Sequence, residues 1–270
     1  MSMEAIRGLL KRNPDLMKIR PDKKRMQMLN KYEEVIKADY DKLHEIAKEY
    51  MQWGLDIPSW RFDAASTRVF EFGRRLARQY NIDIFEVGRL FNEVLPHYTR
   101  AGLAGCFISG LYRDVIKQGD VIRLDLTAYP GSIYGIGYRH PRGRLEVIGD
   151  RAHFLGAEME GGEISIKGNV GNYLGKLKRG GEISIEGSAR NWVGERMEGG
   201  VIFIRGNVRD ALGEKMAGGE IWIEGEAGSW VGDDMRGGII RIKGGYKSLS
   251  SDRWGGEIYK WEDGGWRLIE

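Results

Sequence analysis

Glycine pairs recur along the second half of this chain at a fixed step. Pairs open at Gly161, Gly180, Gly199, Gly218 and Gly237, each 19 residues after the last. A second glycine column holds Gly149, Gly168, Gly187, Gly206, Gly225 and Gly244, and a third holds Gly156, Gly175, Gly194, Gly213 and Gly232. Glycine loses more conformational freedom on folding than any other residue, so a strict period in it marks points where the backbone demands it. A self-similar period of this length is the signature of a stacked repeat.

The segment after each pair alternates as a strand does. Its first apolar column reads Leu145, Ile164, Ile183, Ile202, Ile221, Ile240; the second reads Val147, Ile166, Ile185, Ile204, Ile223, Ile242. Side chains two apart on a strand face one side, and β-branched residues suit it. A third column (Leu155, Leu174, Val193, Leu212, Val231) predicts another inner wall, and a fourth is methionine at 159, 197, 216 and 235, interrupted by Lys178. The outward column Lys167, Glu186, Arg205, Glu224, Lys243 alternates in sign. Equivalent residues stacked about 4.8 Å apart would place opposite charges side by side, each pair contributing about 0–1 kcal/mol.

These columns predict a parallel β-helix over residues 119–270, with six or seven coils of 19 residues and capping segments at both ends. The crossover rule makes it right-handed. Gly168, Gly187, Gly206 and Gly225 in one column, and Gly175, Gly194, Gly213 and Gly232 in the other, are the expected corners. Positive φ or lack of room for a side chain would require glycine there. A leucine-rich repeat would need an Asn or Cys position and a helical return segment, and neither is present.

Composition separates the two halves. Up to Pro141 there are 11 glycines, against 29 beyond it; up to Gln118 there are 21 Lys and Arg against 16 Asp and Glu, and 21 against 23 beyond it. Residues 1–118 read as a helical domain, giving an α+β chain of two domains. Pro21 suits a first helical position. A long amphipathic helix follows to about Met51 and a second runs through Val69 to Tyr80, with Asp63 or Ser66 as its cap. A third is capped by Asp83 and Glu86 in a capping box and ends before Pro96. A fourth covers residues 102–117. The segment 121–126 is a strand of the first coil or a cover for its open end.

Candidate chemistry is sparse. "LARQYNIDIFEVGRLFN", residues 76–92, has the outline of a helix-turn-helix, with Ala77 at the crossing, Asn81 in the turn, and Val87 and Leu90 inside. Arg89 and Asn92 are its candidate DNA contacts, although ordinary helix packing explains the same pattern. The basic segment 1–31 reads as a solvated face. His140 and His153 flank the first coil without the spacing of a zinc pair. Cys106 stands alone, excludes an intramolecular disulfide, and reads as a small buried residue. "GIGYRH", residues 135–140, lacks the third glycine of a dinucleotide loop, and no nucleophile elbow or phosphate loop occurs. No catalytic, cofactor or metal residue is therefore assigned. A small net charge of +3 does not announce a nucleic-acid partner. No apolar run spans a membrane and no signal segment is evident, so a cytoplasmic protein is expected.

One outward column is less bland. Phe203 and Trp222 would be stacked neighbours, with Tyr259 nearby, and exposed aromatic patches mark covered surfaces. The cover is the chain's own helical half or a protein partner, including a second copy of the chain. The aromatic column Phe154, Tyr173, Trp192, Ala211, Trp230 reads as packing, inside or at a corner.

The run "GGEISIKGNVGNYLGKLKRGG" and its successors through residue 245 resemble the glycine-repeat β-helix subunit of formylmethanofuran dehydrogenase, a domain also found at the C-terminal end of the glutamate synthase large subunit. The resemblance covers roughly residues 142–258. It implies a β-helix without catalytic residues that supports neighbouring subunits or domains carrying pterin-metal, zinc, flavin or iron–sulfur chemistry. The expected role is a structural platform. The competing expectations are an enzyme with its site in the groove between helices and stack, and a DNA-binding regulator.

Overall fold

A computed structural model describes residues 23–54, 62–98 and 102–269. Pro21 and most of the basic segment 1–31 lie outside them. The chain forms two compact units, Met1–Lys42 and Leu43–Glu270. The first holds, among described residues, the leading part of helix α1 (Lys23–Gly54). The expected boundary at 118–119 falls inside the second, which contains the other helices and the whole stack.

Helices α2 (Phe62–Tyr80), α3 (Ile84–Arg89) and α4 (Ala104–Arg113) precede the strands. α2 begins at Phe62, so Asp63 and Ser66 lie within it, and Ser66 is buried. The capping box of α3 forms as expected: the Asp83 carboxylate accepts from the Phe85 and Glu86 amides, both at 2.8 Å, and Glu86 accepts from the Asp83 amide at 2.8 Å. After Arg89 the helix widens into a π-turn (Leu90–Val94) and closes in a 3₁₀ turn (Leu95–His97) that contains Pro96. α2 and α4 pack backbone to backbone. A Cβ on Gly73 would strike the Phe107 carbonyl oxygen, and one on Gly110 the Phe70 carbonyl oxygen.

The strands are β1 (Val121–Asp125), β2 (Ile133–Tyr134), β3 (Arg144–Ile148), β4 (Ala152–His153), β5 (Glu163–Lys167), β6 (Glu182–Ile185), β7 (Val201–Ile204), β8 (Glu220–Ile223), β9 (Ile239–Ile242), β10 (Glu257–Glu262) and β11 (Gly265–Leu268). One sheet runs β1-β3-β5-β6-β7-β8-β9-β10-β11, parallel throughout except for the closing β10–β11 hairpin; β2 and β4 form a second, parallel wall. From β3 to β9 each residue pairs with the one 19 positions on, as Ile183↔Ile202↔Ile221↔Ile240. The result is a parallel β-solenoid of about seven turns, about 19 residues each, over residues 121–260. The segment 121–126 supplies β1, in register with β3.

The three apolar columns and the methionines line the lumen, all at 2% exposure or less. Lys178 occupies the methionine column and is also fully buried. Its ammonium donates to the carbonyls of Gly181 at 2.6 Å and Gly199 at 3.2 Å. Burial lowers its pKa to about 8. One coil below Met159 the same column begins with His140, buried and hydrogen-bonded by its Nδ1 to Tyr112 at 3.2 Å and by its Nε2 to the Gly143 carbonyl at 3.3 Å. Desolvation lowers its pKa to about 4.

The corners divide by cause. Gly175, Gly194, Gly213 and Gly232 do have left-handed φ of +64° to +73°. Gly187, Gly206 and Gly225 do not; there a Cβ would collide with the coil below, 2.6 Å from the Gly187 carbonyl oxygen at Gly206, for instance. Gly168, at φ +148°, lies between the two cases. The third bend is made without glycine: Phe154, Tyr173, Trp192, Ala211 and Trp230 hold φ of +52° to +62°. The rings of the first three stack outside the lumen, Phe154 on Tyr173 at 4.6 Å and Tyr173 on Trp192 at 4.8 Å. The alternating charges at 167, 186, 205, 224 and 243, all described residues, are exposed, and no ion pair forms among them. Their strand positions are level, but long side chains in water have little reason to converge. The ion pairs between coils lie elsewhere, as Arg144–Glu163 at 2.5 Å and Lys176–Glu195 at 3.4 Å.

Candidate functional site

The outward column of the sheet converges on an aromatic groove. Phe203 stands beside Trp222, Trp222 beside Arg241, and Arg241 beside Tyr259. The Arg241 guanidinium lies 4.3 Å from the Trp222 ring centre and 5.3 Å from that of Tyr259. It is fixed by Glu220, at 2.7 Å, which also accepts from the Trp222 indole at 3.0 Å. Tyr259 donates to Glu257 at 2.7 Å.

Among the described residues, the contacts over this column come from the chain's C-terminal end. The hairpin β10–β11 carries Trp266, which meets Trp222 edge-on at 5.6 Å and Trp261 at 5.2 Å. The sequence pattern could not show this, because the return from β10 into β11 comes after the last coil. Between hairpin and sheet remains a groove of about 240 Å³ lined by Phe203, Trp222, Trp261, Trp266, Glu224 and Lys243. Trp261 and Trp266 are each 36% exposed, Leu268 more than half. The groove can accept an apolar or extended segment. Its two charges offer one acceptor and one donor at the rim.

The helix-turn-helix outline is correct in its packing. Asn81 takes a left-handed turn conformation, and Ala77, Val87 and Leu90 are buried. Its candidate DNA contacts are engaged within the protein. Asn92 donates to the Arg123 carbonyl and accepts from the Asp125 amide, both at 2.8 Å, so its amide pairs with the outer edge of β1 as a neighbouring strand would. Arg89 is half-buried, with Glu93 at 4.0 Å.

The groove expected between helices and stack exists, about 310 Å³ beside Asn92, Arg123, Asp125, Glu146, Ser165 and Lys167. Its carboxylates have partners: Glu146 binds Arg123 at 2.8 Å, and Asp125 accepts from the amide and hydroxyl of Thr127. Cys106 is buried as expected, and burial pushes its thiol pKa up. Among the described residues no three His, Cys, Asp or Glu side chains are placed to hold a metal ion, and no helix is long and apolar enough to cross a membrane. Compared with protein families and with curated proteins, the chain matches none.

Proposed function

We propose that this chain is a non-catalytic platform subunit whose partner is a subunit or domain of a redox complex. The reading rests on the aromatic groove: three tryptophans and a phenylalanine grouped on a rigid sheet, with the hairpin leaving part of them uncovered. Clustered aromatic groups of this kind are typical anchors of protein interfaces. The resemblance of residues 142–258 to the β-helix subunit of formylmethanofuran dehydrogenase supplies the kind of partner, one that carries the cofactors itself. Such a role implies a protein inside the cell.

The test is gentle purification of the tagged full chain from its native cells, beside a Trp261→Ser/Trp266→Ser variant. A stoichiometric complex with a cofactor-bearing protein, lost in the variant although the variant melts like the parent, is the expected result. A chain that runs alone, or a complex indifferent to both substitutions, defeats the proposal.

A further inference from the structure

One wall of the solenoid slips out of register beside a polar hollow. In the wall opened by β2 and β4, the inward positions run Ile133, Ala152, Val170, then Ala189, Val208 and Ala227. Every step is 19 residues except the one from Ala152 to Val170, which is 18, although the neighbouring rings Phe154 and Tyr173 remain 19 apart. Arg151 is the residue pushed out by this slip. It is exposed, with φ +69°, and its equivalents in later coils do not share that conformation. Such bulges re-aim side chains, and strained backbone is concentrated at binding sites.

The slip shapes a hollow of about 480 Å³, lined by Ser132, Asp150, Arg151, His153, Asn169 and Arg190 among others. His153 is held in place. Its ring stacks on Tyr134 at 5.0 Å and lies flat over Gly171, where a Cβ would meet the ring at 2.5 Å. Its Nδ1 accepts the Asn172 amide at 3.2 Å, which puts the proton of the neutral ring on Nε2. Burial and the nearby Arg190 hold its pKa below the ordinary value. Asp150 contributes the one carboxylate among the lining residues, and its Oδ1 already accepts from the Asn169 amide at 2.6 Å and side chain at 3.1 Å. Arg151 and Arg190, by contrast, have no carboxylate partner among the described residues.

We propose that this hollow binds the phosphate group of a small phosphomonoester. Two guanidinium forks, the imidazole N–H and the Ser132 hydroxyl surround the space with donors, and guanidinium matches phosphate oxygens in geometry and charge. The volume exceeds that of a bare ion and suits a small molecule. The site lies on a different wall from the aromatic groove, so it stands independently of the platform role.

Titration calorimetry of the full chain with inorganic phosphate and with a nucleoside 5′-monophosphate tests the proposal. Arg151→Gly keeps the left-handed backbone comfortable while removing the guanidinium, and Arg190→Gln changes an exposed position. Each is expected to weaken phosphate binding about tenfold or more with melting temperature unchanged, and phosphate should move the His153 ring resonances. Absent binding of both probes, or equal binding in parent and variants, overturns the proposal. So does a duplex DNA that binds through the same arginines while neither small probe does.

Discussion

The middle coils and the first coil solve the same packing problem in different ways. In the middle coils each side chain is answered by its equivalent 19 residues away. Ile202 lies between Ile183 and Ile221, and the polar columns do likewise: Asp150, Asn169, Ser188 and Asn207 each accept the backbone N–H of the next coil, at 2.6–3.0 Å. The first coil has no coil of its own kind beneath it along most of its length. It is fitted to the helices by individual bonds. Tyr138 bonds Thr67 at 3.0 Å, His140 meets Tyr112, and Ser109 donates to the Gly135 carbonyl at 3.2 Å and accepts from the Gly137 amide at 3.0 Å. Repetition makes contacts generic. The join to a non-repeating partner requires specific ones.

The largest break in this comparison comes from a glycine in the repeat. At Gly206→Val the new side chain meets the Gly187 carbonyl, and neither rigid coil can give way, so a loss above about 4 kcal/mol is expected by chemical denaturation. The reason is lack of room, because the backbone there is not left-handed. Ile204→Ala in the same coil should lose about 2–5 kcal/mol as a buried truncation. A parent-like midpoint for either variant would mean that the coils are not in close register.

Two polar residues in the methionine column sharpen the contrast. Lys178 is charged in a wall of hydrocarbon, and its native pKa of about 8 lies below the unfolded 10.5. Below pH 8 both states hold the proton and the penalty is constant; between pH 8 and 10.5 the unfolded chain binds it more, so this group makes stability rise with pH. Lys178→Met should therefore stabilise at neutral pH by about 2–4 kcal/mol and remove that rise. His140 works in the acid range. Its native pKa of about 4 lies below the unfolded 6.5, so its contribution is complete above pH 6.5 and is lost as pH falls toward 4. His140→Met should flatten that slope relative to the parent, by about 2–3 kcal/mol. A parent and variant that fall in parallel between pH 6.5 and 4 would show that His140 titrates normally.

The stack was legible because a solenoid writes its contacts into one period. The Ile columns, the methionines and the strand register follow from counting 19, as does the place of Lys178. The capping box at Asp83 and Glu86 was legible for a local reason, since both partners lie within one turn. What escaped is what the period does not govern. The return into β11 that sets Trp266 against Trp222 follows the last coil. Asn92 caps β1 through a contact 31 residues away, and Arg151 is displaced by a slip that leaves the glycines in step. The polar column at 150, 169, 188 and 207 accepts the backbone N–H groups of the next coil, a role that the identity of Asp, Asn and Ser does not announce.

The non-glycine bends were also hidden, because residues with side chains rarely take left-handed φ and nothing in their identity announces it. Arg196, at φ +54°, is exposed and stands near Glu195, with which its ion pair is 3.7 Å long. A surface pair of that length contributes little. Replacing it by glycine removes the Cβ conflict but gives the unfolded chain more freedom, and the two effects oppose each other. Relief of a left-handed residue is worth about 1–2 kcal/mol and the added freedom costs about 0.4–1 kcal/mol, so Arg196→Gly should gain about 0.5–1 kcal/mol by denaturation. The gain belongs to the backbone. Arg196→Ala, which drops the same ion pair but keeps the Cβ, should show none of it; equal gains in both variants would locate the effect in the charge and leave the bend unstrained.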